Sequence, residues 1–250
     1  MAGHSKWANI KHRKGRQDAK RGQMFTKATK ELMLAAKLGG GDPEMNPRLR
    51  LAIDSAKNIN MPKDKIETAI KKGTGEISTG TIEEVVYEGY GPGGVAFIVE
   101  GSTDNKNRTV SDIRKIFSKG GGNLGELGCV GWMFTKYGVL SFDKKKYSED
   151  YLLEIGLEAG VDDVVDDQEY WEIRTAPEDY IHVKQAYEEA GVEIEYSEVT
   201  MIPQNYVSLD TETAHKALQL FEKLDDHEDV QKVHVNFEIP DEIYQELSRQ

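Results

Sequence analysis

An α+β fold of three domains is predicted for this 250-residue chain: an N-terminal helical bundle plus two small α/β sandwich domains, one inserted in the other. Two observations lead to this prediction. Apolar residues recur with helical spacing up to about residue 75, and beyond it strand-like and helical segments alternate. The segments before residue 133 lack a last helix and strand, which residues 204–240 can supply. The predicted domains are therefore 1–76, then 77–133 with 204–250, and the inserted 134–203.

The N-terminal domain is predicted to contain three short helices. The first runs from about Arg16 to Leu38, where three consecutive glycines stop it. A second begins at Asn46-Pro47, an N-cap followed by proline at the first helical position. A third begins after Pro62 and ends at Gly73. Residues 1–15 have no apolar periodicity and indicate an extended, basic arm.

The remaining elements follow from hairpin signals and apolar patterns. Strands Glu83–Tyr90 and Val95–Glu100 are joined by Gly91-Pro92-Gly93-Gly94, a hairpin connection. The GYGPGG run at 89–94 opens a strand and not a helix, so it is not a dinucleotide-binding loop. The later elements are helix Asn107–Ser118, strand Gly131–Phe142, helix Glu149–Glu158, strand Glu169–Thr175, helix Glu178–Ala190, strand Glu193–Thr200, helix Thr211–Leu224, strand Val230–Phe237 and a short helix after Pro240.

Charge is distributed very unevenly along the chain. The first 72 residues carry 17 Lys and Arg against 7 Asp and Glu, a local charge of +10, whereas the remainder carries −22, which together give the chain's −12. Such asymmetry indicates a polyanionic partner for the basic end. Because phosphates repel the acidic remainder, that part is expected to project away from a bound nucleic acid.

The composition favours some classes of protein over others. A single cysteine, Cys129, permits no intramolecular disulfide and fits a reducing compartment, so a cytoplasmic protein is predicted. The basic opening lacks the apolar core of a secretory signal. A mitochondrial transit peptide is the less favoured interpretation of that opening. No apolar stretch is long enough for a membrane span. The histidines are scattered, so no metal site, cofactor or catalytic residue is predicted, and the protein is expected not to be an enzyme.

Two further segments allow alternatives. The glycines at 120–122 form either a plain connector or a mobile loop whose amides approach a phosphate. The acidic residues between Asp162 and Asp167 indicate a solvated turn, with weak binding of a divalent cation as the other interpretation.

The basic arm and first helix are the predicted nucleic-acid-binding site. Their Lys and Arg side chains can neutralise phosphates, and the one large aromatic of the arm can stack on a base. Without a base-reading module, specificity is expected to be modest. The predicted contacts are Lys6, Trp7, Lys11, His12, Arg13, Lys14, Arg16, Lys20, Arg21 and Lys27.

Five segments resemble the YebC family, which includes the mitochondrial translational activator of cytochrome oxidase. They are MAGHSKWANIKHRK at the start, LGGGDPEMNPRLRLAID at 38–54, NMPKDKIETAIKKGTG at 60–75, YEGYGPGGVAFIVE at 87–100 and GNLGELGCVGWMF at 122–134. The resemblance implies a helical N-terminal domain and two α/β domains, one interrupting the other, and it supplies no catalytic residue.

The resemblance also implies one of two functions. Family members have been labelled transcriptional regulators with DNA-binding activity, and have also been placed on the ribosome, where they help translation through proline-rich stretches. A flexible basic arm on an acidic body suits insertion into ribosomal RNA better than major-groove readout by a symmetric dimer, so a ribosome-bound monomer is expected and DNA binding stays the alternative. A purely protein-binding regulator would leave the basic segment unexplained.

Overall fold

The computed structural model describes residues 18–78, 80–167, 170–240 and 243, with side chains from residue 22 onward. In chain order the elements are α1 (Asp18–Gly39), α2 (Pro47–Asn58), α3 (Lys63–Gly73), β1 (Glu83–Tyr90), β2 (Ala96–Thr103), α4 (Lys106–Lys119), β3 (Asn123–Leu124), β4 (Phe134–Asp143), α5 (Glu149–Gly156), β5 (Val161–Asp167), β6 (Tyr170–Thr175), α6 (Tyr180–Glu189), β7 (Tyr196–Pro203), α7 (Thr211–Asp225) and β8 (Val230–Val235). The strands form two four-stranded antiparallel sheets, so the predicted α+β class is confirmed.

The described residues separate into two compact units. The larger unit contains residues 18–131 and 212–235, and the smaller unit contains 132–211 with 236–240. In the larger unit the strand order is β3-β1-β2-β8, and β8 pairs with β2 starting at Val235 opposite Phe97. The helix and strand after residue 210 therefore return to the sheet that begins at residue 83. The domain boundaries given above stay predictions.

Helix α1 is the centre of the helical part of the larger unit. The sequence predicts one buried stripe along it, but all five side chains from Leu32 to Ala36 are buried. The reason is that α1 packs against α2 and α3 and also contacts β2 and β8 of the sheet. The start of α2 is as predicted: Pro47 is its first residue, and the Asn46 side chain accepts the Leu49 N–H at 3.1 Å.

The smaller unit has the strand order β5-β6-β4-β7, accompanied by α5 and α6. Its core includes Phe142 of β4, whose ring lies 4.6 Å from that of Tyr187 on α6. The Tyr187 hydroxyl donates to the Leu152 carbonyl of α5 at 2.8 Å, which satisfies the buried phenol.

The predicted acidic turn between Asp162 and Asp167 is wrong. These residues belong to β5, which pairs antiparallel with β6 at the edge of its sheet. An edge strand tolerates several carboxylates because one of its sides faces solvent and the charges discourage further strand pairing. Asp166 is paired with Lys144 of the same unit. The short strand β3 was not predicted, and the predicted helix after Pro240 falls outside the described residues.

Candidate nucleic-acid interface

The structure describes only some of the predicted nucleic-acid contacts. Lys20 and Arg21 lie in the first turn of α1, and Lys27 is the only predicted contact whose side chain is described. The others lie outside the described residues: Lys6, Trp7, Lys11, His12, Arg13, Lys14 and Arg16.

Lys27 is engaged within the protein. Its ammonium donates to the main-chain carbonyl of Asp225, at the end of α7, and lies 3.9 Å from the Asp225 carboxylate. The main-chain carbonyl of Lys27 accepts a hydrogen bond from Nε2 of Gln231 at 3.2 Å. An internal carboxylate therefore already balances part of the positive charge that the sequence assigns to phosphate binding.

One turn later, Lys30 binds a buried carboxylate. Its Nζ lies 2.5 Å from Oδ1 of Asp229, and Asp229 is completely buried. The other carboxylate oxygen accepts from the Thr109 hydroxyl at 2.7 Å and from Arg108 at 3.3 Å. Burial alone would raise the pKa of Asp229, but the hydrogen bonds from Lys30 and Thr109 outweigh it, so the pKa lies below its ordinary value. This cluster joins α1 to α4 and to the segment before β8.

Further cations of the helical part are also paired. Arg48 of α2 binds Glu31 at 2.8 Å and Glu84 at 3.0 Å. Lys37 donates to the main-chain carbonyl of Ile82 at 2.7 Å. The net positive charge of the first 72 residues therefore overstates what the described side chains offer to a partner.

Helix α3 carries basic groups that sequence reasoning did not single out. Within the described part of the chain, the ammonium groups of Lys71 and Lys72 make neither an ion pair nor a hydrogen bond. Lys65 lies 5.7 Å from the centre of the Phe25 ring. The adjacent lysines in the last turn also complement the helix dipole, so stability alone can explain them. The doublet in KKGTG was the available sequence signal.

The glycine loop after α4 does not offer free amides. The N–H groups of Gly120, Gly121 and Gly122 donate to main-chain carbonyls in the last turn of α4, at 2.9 to 3.4 Å. They therefore cap the helix, and the connector interpretation describes them better than phosphate binding.

A carboxylate fills the next anion-binding turn along the chain. Glu88 of β1 accepts the N–H groups of Gly128 at 2.8 Å and of Val130 and Gly131 at 2.7 Å. Burial raises the pKa of Glu88, but these three backbone donors outweigh that effect and lower it overall. Burial, with the Glu88 charge, raises the pKa of the Cys129 thiol, as expected for an unreactive cysteine.

The described residues show no group of three or more His, Cys, Asp or Glu side chains placed to bind a metal ion. None of their helices has the length and apolar character of a membrane span.

Comparisons with known proteins cover nearly the whole chain. Residues 5–76 match the TACO1/YebC protein N-terminal domain, and residues 82–237 match the TACO1/YebC second and third domain. A "Probable transcriptional regulatory protein" of Maridesulfovibrio salexigens is 61% identical over 247 residues, with 99% of each chain covered. One of the same name from Solidesulfovibrio magneticus is 56% identical, covering 98% of this chain and 100% of its own.

A solved structure shares the fold. The crystal structure of a conserved hypothetical protein from Aquifex aeolicus is 48% identical and has a TM-score of 0.79, covering 89% of this chain and 92% of its own. The family matches and this structure agree with a helical N-terminal part followed by two antiparallel sheets. The chain belongs to the TACO1/YebC family.

Proposed function

We propose that this chain is a nucleic-acid-binding regulator of gene expression that binds ribosomal RNA through its basic N-terminal region and relieves stalling at proline-rich stretches. The observation that carries the proposal is the contrast between a local charge of +10 in residues 1–72 and −22 in the remainder. Counterion release on phosphate binding favours docking through the basic segment. The carboxylate-rich parts of the remainder then face away from the nucleic acid.

The ion pairs within the larger unit refine which residues take part. Lys27 and Lys30 hold α1 against Asp225 and Asp229, so their role in the proposed mechanism is to fix the helix that follows the arm. The phosphate contacts are assigned to the arm and to Lys20 and Arg21 in the first turn of α1. A fixed helix reduces the entropy lost when the arm binds.

RNA is favoured over duplex DNA because most of the proposed contacts precede α1 in the sequence and so do not belong to a helix that could lie in the major groove. Major-groove readers place a helix or ribbon across base edges, frequently as symmetric dimers. An arm that neutralises phosphates, with Trp7 available to stack on an unpaired base, suits irregular RNA. The proposed setting is the cytoplasm, with the protein acting as a monomer and without catalysis or a cofactor.

The test is co-sedimentation of the purified protein with bacterial ribosomes at low and moderate salt. A variant with Lys11, Arg13, Lys14 and Arg16 changed to Gln is compared with the wild type. The matched control removes four exposed or partly exposed lysines elsewhere: Lys136, Lys145, Lys184 and Lys223. Wild type and control are expected to sediment with ribosomes, and the arm variant to stay in the supernatant. Equal binding by the two variants contradicts an arm anchor.

Transcriptional regulation is the second candidate, because the relatives from Maridesulfovibrio and Solidesulfovibrio are named probable transcriptional regulatory proteins. It predicts that the same arm variant loses affinity for duplex DNA while the wild type ignores ribosomes. Binding of the wild type to genomic duplex fragments, with no ribosome binding at either salt, would replace the translation proposal with this one.

A further inference from the structure

A basic helix lies in the acidic remainder of the chain. Helix α4 carries Lys106, Arg108, Arg114, Lys115 and Lys119 and a single carboxylate, Asp112. The residues after 72 have a net charge of −22, so this concentration of one sign is a local exception. It lies outside the region that the proposed function uses.

The cations of the second half of α4 share one face. Thr109, Ile113 and Phe117 are buried on one side of the helix. At 100° per residue, the opposite side spans about 140° of the helix surface and about 12 Å along the axis. We name this side the α4 basic face, and all its residues are exposed: Ser111, Arg114, Lys115, Ser118 and Lys119.

The two halves of α4 differ in how their charge is used. In the first turn, Lys106 binds Glu83 at 2.5 Å, and Arg108 binds Asp104 at 2.7 Å as well as the buried Asp229. By contrast, Arg114, Lys115 and Lys119 make no ion pair or side-chain hydrogen bond with any residue that the structure describes. The carboxylate of Asp112 lies instead 3.8 Å from His227.

Helix stability alone does not account for the α4 basic face. Cations in the last turn complement the helix dipole, which explains Lys119, but the effect falls off within one turn and Arg114 lies five residues earlier. A face that serves only solubility mixes both signs. Here three cations stand together with two hydroxyl groups, which is a set of groups that binds phosphate oxygens.

The α4 basic face is held rigidly. Asn105 caps the helix by accepting the Arg108 N–H at 3.1 Å. The buried Phe117 ring packs edge-on against Phe97 of β2, with ring centres 5.8 Å apart. The glycine amides described above cap the other end. Because the element is already ordered, a partner loses little entropy in binding to it.

We propose that the α4 basic face is a second RNA-binding surface, which contacts phosphates through Arg114, Lys115 and Lys119 and through the hydroxyls of Ser111 and Ser118. The inference rests on the proposed RNA-binding function and adds to it a second contact, made by helix α4 of the larger unit. Binding there is independent of sequence, since contacts to phosphate oxygens carry no base information. The charge of the face commits it to a phosphate backbone.

The test measures the affinity of the full-length protein for a short fluorescent RNA stem-loop as a function of salt concentration. The test variant is R114Q/K115Q/K119Q, and the control K136Q/K145Q/K184Q makes the same change in net charge on the smaller unit. Each phosphate contact contributes about 0.7 to 0.9 to the slope of log affinity against log salt. The slope of the test variant is therefore expected to fall by about 2, with at least a tenfold loss of affinity at low salt. The control is expected to stay within twofold of the wild type.

Two further variants separate charge from folding. The charge-conserving R114K/K115R/K119R is expected to keep wild-type affinity, and K115Q alone to reduce the slope by about one contact. Circular dichroism and urea unfolding of each variant verify the fold. If R114Q/K115Q/K119Q does not fold, K115Q decides: an unchanged slope overturns the inference.

The outcomes distinguish this inference from the proposed function. If the arm variant loses RNA binding while R114Q/K115Q/K119Q matches its control, the inference is overturned and the proposed function stands. If wild type binds no RNA, both fall. If R114Q/K115Q/K119Q loses affinity for duplex DNA or for an acidic peptide but not for the stem-loop, RNA is the wrong occupant of the face.

Discussion

Asp229 and Lys30 form an ion pair in which the carboxylate is fully buried and the ammonium lies 2.5 Å from Oδ1. The pair connects α1 to the turn that precedes β8, and it extends to α4 through Thr109. The first helix is therefore held to the sheet by a specific polar contact as well as by apolar packing.

Replacing Asp229 with Asn is expected to lower the free energy of unfolding by about 2–4 kcal/mol, because Lys30 and Arg108 lose a charged acceptor where the carboxylate is excluded from water. Urea unfolding followed by circular dichroism measures the change. The control is Glu228→Gln, at an exposed neighbouring position, which is expected to stay within about 0.5 kcal/mol. Equal stability of the two variants would contradict the cluster.

The same carboxylate makes stability depend on pH on the acidic side. The folded-state pKa of Asp229 is below its ordinary value of about 4, so its contribution is complete above that pH and is lost as pH falls through the lower folded-state pKa. Wild type is therefore expected to lose stability over this acidic window more steeply than Asp229→Asn. Urea midpoints measured from neutral pH downward test this, and parallel curves for the two proteins would be the contrary result.

Glu88→Ala is expected to release the turn at 128–131. Three backbone N–H groups lose their acceptor, and because the Val130 N–H is buried, leaving it unpaired costs about 1–3 kcal/mol. Hydrogen exchange at Gly128, Val130 and Gly131 is expected to accelerate. Glu126→Gln, an exposed carboxylate of the same loop, is the control. Unchanged exchange in Glu88→Ala would show that other contacts hold the turn.

The features that the sequence predicted well are those that depend on neighbouring residues. The start of α2 follows from Asn46-Pro47, and β1 runs from Glu83 to Tyr90 as the glycine-rich hairpin connection after it predicts. Strand β5 was missed because its four aspartates disfavour a strand locally, and pairing with β6, which no local pattern reveals, decides the outcome.

The candidate site was harder to predict because charge balance is a long-range property. Lys27 as a phosphate contact, and Lys30 as part of the local positive charge, are offset by carboxylates that are about 200 positions later in the sequence and adjacent only after folding. The unpaired state of Arg114, Lys115 and Lys119 is equally invisible locally, since Lys106 and Arg108 on the same helix are paired. Composition located the basic N-terminal region. The structure distinguishes the cations that are paired with carboxylates from those that are not, both in that region and on α4.

Two glycines are expected to respond to alanine with opposite signs. A Cβ on Gly73 would lie 2.4 Å from the Met33 carbonyl oxygen, so Gly73→Ala forces α3 away from α1 and is expected to cost about 1–3 kcal/mol. Gly22 lies in α1 with nothing within 4 Å of an added Cβ, so Gly22→Ala is expected to add about 0.5–1 kcal/mol through helix propensity. Urea unfolding measures both changes on the same scale. Gly22→Ala also serves as the control, because it adds the same methyl group without a clash. If both substitutions stabilise the protein, α1 and α3 are not close enough at Gly73 for an added Cβ to clash with the Met33 carbonyl oxygen.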